Sequence, residues 1–365
     1  GSNTVQCISY TKADGTGIVA AGGGSVTNLL INGSFDIDTR LGGFTAAHAD
    51  FPNNDDSYLL DQWILLSAGD DIVDVAKVTT SQLTGLKNAG RMEVATADKK
   101  FGFLQILESR HAEKIIGSTC SLSFSAKVTS AAAGRLDNIK AAVLSWDSTA
   151  DSVTSDVISN WAAEDTTPTL VANWTFENTP ANLGVTTSSA RYTIEGISID
   201  TAATNNVAVF IWADGFTGTV TDQLHISGVQ LEEGATASDP EPTDATIERI
   251  RCSRYAQRFD QSGTRTLGYA GRASNTTNVI FFMPLQAPFR ATPSITLNSA
   301  GLDINAYDDA GAHGISSISI TTISHGINYS NMLTATSVNH TGTLTAPSGV
   351  TLEIQSESIW FFAEL

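Results

Sequence analysis

The stretch "CSLSFSAKV", Cys120–Val128, alternates without a break: Leu122, Phe124, Ala126 and Val128 point one way, and Ser121, Ser123, Ser125 and Lys127 the other. A period of two over nine residues belongs to a strand with one dry face and one wet face, because successive side chains leave a pleated backbone on opposite sides. The pattern recurs between turn-forming clusters in "FGFLQILES" (101–109), "IKAAVLSW" (139–146), "RYTIEGISID" (191–200), "NVAVFIWAD" (206–214) and "LHISGVQLE" (224–232). Short strands repeated in this way stack into a β-sandwich or close into a barrel. Alternation returns after residue 262 in "NVIFFMPL", "PSITLNS", "ISSISITTI", "NMLTATSV" and "VTLEIQSESIWFFAEL", about enough chain for a second small β-sandwich.

Two places break the alternation with helical spacing. In "STADSVTSDVISNWAA" (148–163), Val153, Val157, Ile158 and Trp161 are spaced for a turn or two of helix. After the proline-punctuated "DPEPTD" (239–244), Thr243 or Asp244 caps a helix that carries Ile247, Ile250, Arg254 and Arg258. The chain then reads as a glycine-rich stem over 1–25, a sandwich over 26–240, a helical joint over 241–262 and a terminal β-sandwich over 263–365. Gly1 and Ser2 read as a cloning remnant.

Composition narrows the function. The 365 residues carry 38 acidic and 20 basic side chains, a formal net charge of −18, so a phosphate backbone is repelled and nucleic acid is not expected as a partner. No apolar run reaches the length of a membrane-spanning helix and no basic-then-apolar leader opens the chain, so membrane insertion is not expected. The three cysteines lack metal-ligand spacing, and no GxSxG, HExxH or phosphate-binding glycine motif is present. An enzyme is therefore not expected.

The segments "NLLINGSFDI", "DQW", "SLSFSAKV", "ANWTFENTP", "NVAVFIWAD", "LHISGVQLEEG" and "RCSRYAQRF", in that order and with "FFAEL" at the end, resemble bacteriophage tail-fibre and virion-spike proteins. The resemblance implies a carbohydrate-binding-module-like jelly roll, a cysteine-bearing short helix and a C-terminal β-domain, placed on the virion surface. It further implies host attachment through bacterial surface polysaccharide, association with other virion proteins and assembly as a homotrimer, with Arg249, Arg251, Arg254 and Arg258 bridging carboxylates between subunits. A purely structural fibre spacer, or a carbohydrate-binding module of a secreted glycosidase, is the competing reading. Glycan sites stack sugar C–H faces on aromatic rings beside carboxylates, which nominates Trp146, Asp147, Trp161, Trp212 and Asp214. Trp63 and Trp174 read as packing residues. A structural calcium, as such jelly rolls often hold, would take oxygen ligands from Asn32, Asp36, Asp38 and Glu232. Finally, Ile359, Trp360, Phe361 and Phe362 are apolar on both faces of one strand, more than a lone two-layer sandwich buries, which points to a threefold contact.

Overall fold

The computed structural model describes residues 28–40, 51–79, 82–201, 203–215, 219–240, 243–260, 267–273, 279–297, 304–308, 311–322, 332–340, 349–354 and 358–365, with side chains through 259 and again at 284–296 and 359–365. The first strands are β1 (Ser57–Leu60), β2 (Trp63–Ser67), β3 (Val73–Val78), β4 (Ala89–Val94) and β5 (Phe101–Leu107). One turn of helix, α1 (Ser109–Ala112), precedes β6 (Thr119–Val128) and β7 (Asn138–Trp146). The short β8 (Ile158–Asn160), β9 (Thr169–Leu170) and β10 (Trp174–Phe176) lead to the long β11 (Ala190–Ser198), β12 (Asn206–Gly215) and β13 (Gln223–Glu233).

Two antiparallel sheets stack face to face: six strands in the order β1-β2-β5-β12-β7-β10, and five in the order β11-β6-β13-β4-β3. Leu122, Phe124, Ala126 and Val128 of β6 all enter the core between them, as the opening alternation requires. Trp63 stacks on Phe35 there at 5.1 Å.

Strand β12 is buried along its whole length, which alternation alone does not explain. Its second face lies under residues 147–173, which cross the outside of the six-stranded sheet and add Val153, Val157 and part of Trp161 to a second apolar cluster with Phe210, Trp212 and Trp174 of β10. The helix expected at 148–163 does not form. Valines 153 and 157 each reach down onto the sheet from extended chain, and the segment closes as the β8–β9 pair instead.

Helix α2 (Ala245–Ser253) starts where expected, with the Asp244 carboxylate accepting from the backbone N–H of Thr246 and Ile247. It buries Glu248 and Cys252, while Ile247 and Ile250 are 54% and 52% exposed. The surface it docks on is backbone. Asn32 N–H donates to Glu248 at 2.5 Å and Arg251 donates to the Leu30 carbonyl at 3.0 Å, so charged groups face inward. The other joint arginines also act inside the chain: Arg254 pairs with the buried Glu108 at 3.2 Å, and Arg258 lies in a strand, 4.9 Å over the Trp360 ring. Arg251, Arg254 and Arg258 thus already have partners within the chain, while Arg249 is exposed.

That strand, β14 (Ala256–Asp260), begins the C-terminal β region with β15 (Leu267–Ala273), β16 (Val279–Pro284), β17 (Ser294–Leu297), β18 (Ile304–Asp308), β19 (Gly311–Thr322), β20 (Met332–His340), β21 (Gly349–Ile354) and β22 (Ser358–Phe362). The expected all-β class is what the chain adopts; within it, the last strands close as a barrel, β15-β16-β20-β19-β18-β21, beside a three-stranded sheet, β14-β22-β17. The terminal strand is thus central, and its two apolar faces are covered by its own chain. Phe361 packs against Phe259 and Phe289, while Trp360 and Phe362 meet Phe51 at 4.8 and 6.1 Å and Arg40 lies over Phe362. The two-sided strand therefore supplies no argument for a trimer.

Candidate functional site

A cavity of about 330 Å³ opens on the outer side of the five-stranded sheet. Its floor is Ser125 of β6 with Gly228, Val229 and Gln230 of β13. Pairing between β13 and β6 slips between Ser227 and Gln230, and Gly228 takes φ +60° at the slip, a left-handed conformation that glycine adopts without a Cβ clash. The wall is the incoming chain, Asn28 to Asp36. Asn28 accepts from the N–H of Leu30 and Leu231 and donates to the Val229 carbonyl at 2.8 Å, which lashes this segment to β13. Gly33 passes so close that a Cβ there would stand 2.1 Å from the Val229 oxygen.

Thr84, Gly85 and Leu86, from the loop between β3 and β4, form the roof, and the Thr84 N–H bonds Ser189 Oγ just before β11. Pro240, Thr243 and Glu248 close the end at α2. The lining is thus hydroxyl, amide and carboxylate, with Leu86, Val229 and Pro240 as apolar surface. Glu248 is already committed to Asn32 N–H and Arg251. Asp36 is less so: Oδ1 accepts from Asn88 at 2.5 Å, and among the described residues Oδ2 has no partner.

Of the residues nominated for calcium, Asn32 and Glu232 are engaged with other protein groups. Asn32 spends Nδ2 on the Ile37 and Asp61 carbonyls and Oδ1 on Ile37 N–H. Glu232 is held by Gln230 and Ser238, and among the described residues no group of three or more His, Cys, Asp or Glu side chains is placed to hold a metal. Asn32 closes a backbone turn at φ +57°. Asn32 and Asp36 do share the cavity lining.

The aromatic set gathers on the outer face of the six-stranded sheet, largely as packing. Trp212 and Asp214 are 0% exposed, which removes both as sugar contacts. Trp212 stacks on Phe210 at 4.5 Å, and its indole N–H donates to Asp214, which also takes Lys100 at 3.0 Å and Lys140 at 2.5 Å. Lys100 in turn holds the carbonyls of Ala163 and Thr166, so this network fastens the segment 147–173 onto the sheet. Trp146 and Trp161 are half-buried on the same outer face, against Trp174 and Phe210, and Asp147 is exposed. They lie on the other sheet from the cavity. Trp63 and Trp174 are both buried. The reading by residue type missed Ser34, Thr84, Leu86 and Thr243, which carry no motif; the signal available was the glycines of "ING" and "SGV", marking where backbones meet.

No protein-family model matches the chain, and no curated protein matches it. Among solved structures, the enzymatically active domain of bacteriophage CBA120 tailspike protein 4 aligns at 15% identity and TM-score 0.29, over 47% of this chain and 19% of that one. A Stig cyclase, Fisc, from Fischerella sp. TAU aligns at 11% and 0.31, over 58% and 100%. The tandem CBM22 domains of Xyn10C from Paenibacillus barcinonensis align at 9% and 0.30, over 93% and 90%. Likenesses this distant assign neither family nor activity.

Proposed function

We propose that this protein is a non-catalytic glycan-binding component of a phage fibre or spike, which attaches to bacterial surface polysaccharide through the cavity on the five-stranded sheet. The observation that carries the binding reading is the lining: hydroxyls of Ser34, Thr84, Ser125 and Thr243 around Asp36, with Leu86 and Pro240 as apolar faces. That combination matches the alternation of hydroxyl and C–H surface on a sugar ring. The non-catalytic reading is supported by the commitments of Glu248: glycoside hydrolysis uses two carboxyl groups flanking the bond, and Glu248 already has backbone and arginine partners. The virion setting rests on the ordered segments from "NLLINGSFDI" to "FFAEL".

The test is binding of the full chain to intact bacteria and to extracted capsule or lipopolysaccharide, beside Leu86→Trp, which fills the cavity from its roof, and the pair Trp146→Ala, Trp161→Ala. Loss with Leu86→Trp alone is expected. Loss only with the tryptophan pair moves the site to the outer face of the six-stranded sheet, and no binding at all leaves the spacer reading. New reducing ends on prolonged incubation would overturn the non-catalytic assignment.

A further inference from the structure

The charge around this cavity is one-sided. Its described lining holds two carboxylates, Asp36 and Glu248, and no lysine, arginine or histidine. Three cations around it have protein partners: Lys77 donates to the Asp36 carbonyl at 3.0 Å, Arg251 to Glu248 at 2.7 Å, and Arg191 to Ser123 and the Ser238 carbonyl, while Lys87, next to Leu86 of the roof, is exposed outside the lining. Arg91 and Lys127 flank His225 along the same face, outside the lining. A chain of net charge −18 adds a repulsive background for any anion. Resting on the glycan-binding reading above, we infer that the cavity selects saccharide units without acidic substituents and favours a unit bearing a free amine, with Asp36 Oδ2 as its counter-ion. An ammonium there gains a charge-assisted hydrogen bond; a uronate, sialate or phosphate meets two carboxylates and no lining cation. Hydroxyl donors fit the same oxygen less strongly, which ranks neutral sugars between the two.

Calorimetric titration of the full chain with three defined probes tests this: glucosamine oligomers, N-acetylglucosamine oligomers and oligogalacturonate. The amine-bearing oligomer is expected to bind tightest and to weaken with added salt. Asp36→Asn, which keeps the shape and the bond to Asn88, should cut its affinity about tenfold and erase its advantage over the acetylated one; Leu86→Trp should abolish both. Melting curves of the variants check folding. An amine advantage that survives Asp36→Asn overturns the inference, as does oligogalacturonate binding that Leu86→Trp removes, and either result leaves glycan binding standing. Silence from all three probes together with host polysaccharide overturns both.

Discussion

Asp56 sits at φ +59° beside Asp55, Asp70 and Asp156, and burial first, then these neighbouring charges, raise its carboxyl from the ordinary range to about 7. A group that binds its proton more tightly when folded contributes stability that is full below its unfolded value, near 4, and is lost as pH rises through about 7. Melting temperature should therefore fall between roughly pH 4 and pH 7. Asparagine tolerates the left-handed conformation and carries no charge, so Asp56→Asn should melt higher than the parent at pH 8, with the gap narrowing toward pH 5. A gap independent of pH would contradict this. Asp214 shows the opposite economy: it is the shared anion for two lysines and an indole N–H, all buried. Asp214→Ala strands those groups and should cost about 3 to 5 kcal/mol by chemical denaturation, far more than an exposed ion pair.

At the scale of single elements, β22 and α2 show how facing is decided. The strand is apolar on both faces and is the centre of a sheet; the helix keeps its isoleucines outside. Phe361→Ala should destabilise by about 3 to 5 kcal/mol, the range for truncating a buried aromatic ring. Ile247→Ser and Ile250→Ser should each stay within about 0.5 kcal/mol. Equilibrium unfolding distinguishes these; a large loss from either isoleucine would mean that another surface covers the helix.

For the whole molecule, the sandwich and the C-terminal sheet share charged anchors. Glu108, buried after β5, takes Arg254 and Arg290; Arg40 pairs with Glu364 and crosses the Tyr58 and Phe362 rings; the Tyr58 hydroxyl donates to the Leu365 carbonyl at 2.9 Å. The pairs Glu108–Arg254, Glu108–Arg290, Arg40–Glu364 and Tyr58–Leu365 join residues more than a hundred positions apart, so the two regions should melt together. Glu108→Ala with Tyr58→Phe should split a single calorimetric transition into two, because cooperativity needs the interface intact. A single unshifted transition would show that the anchors contribute little.

Period-two alternation in "CSLSFSAKV" and its repeats was sufficient for the all-β class, since pleat geometry is local and every such strand obeys it. The start of α2 was legible for the same reason: a cap acts within one turn, and Asp244 caps its own helix. Facing and partnership were not local. Whether Trp212 was open or covered depended on residues 147–173 crossing its sheet, and what Phe362 packs against within the chain depended on Phe51 and Arg40. The cavity required four segments, 28–36, 84–86, the slipped β13 and the start of α2, to converge. No window of sequence contains all four, because burial is a property of what arrives on a surface from elsewhere in the chain, and only the tertiary structure brings it there.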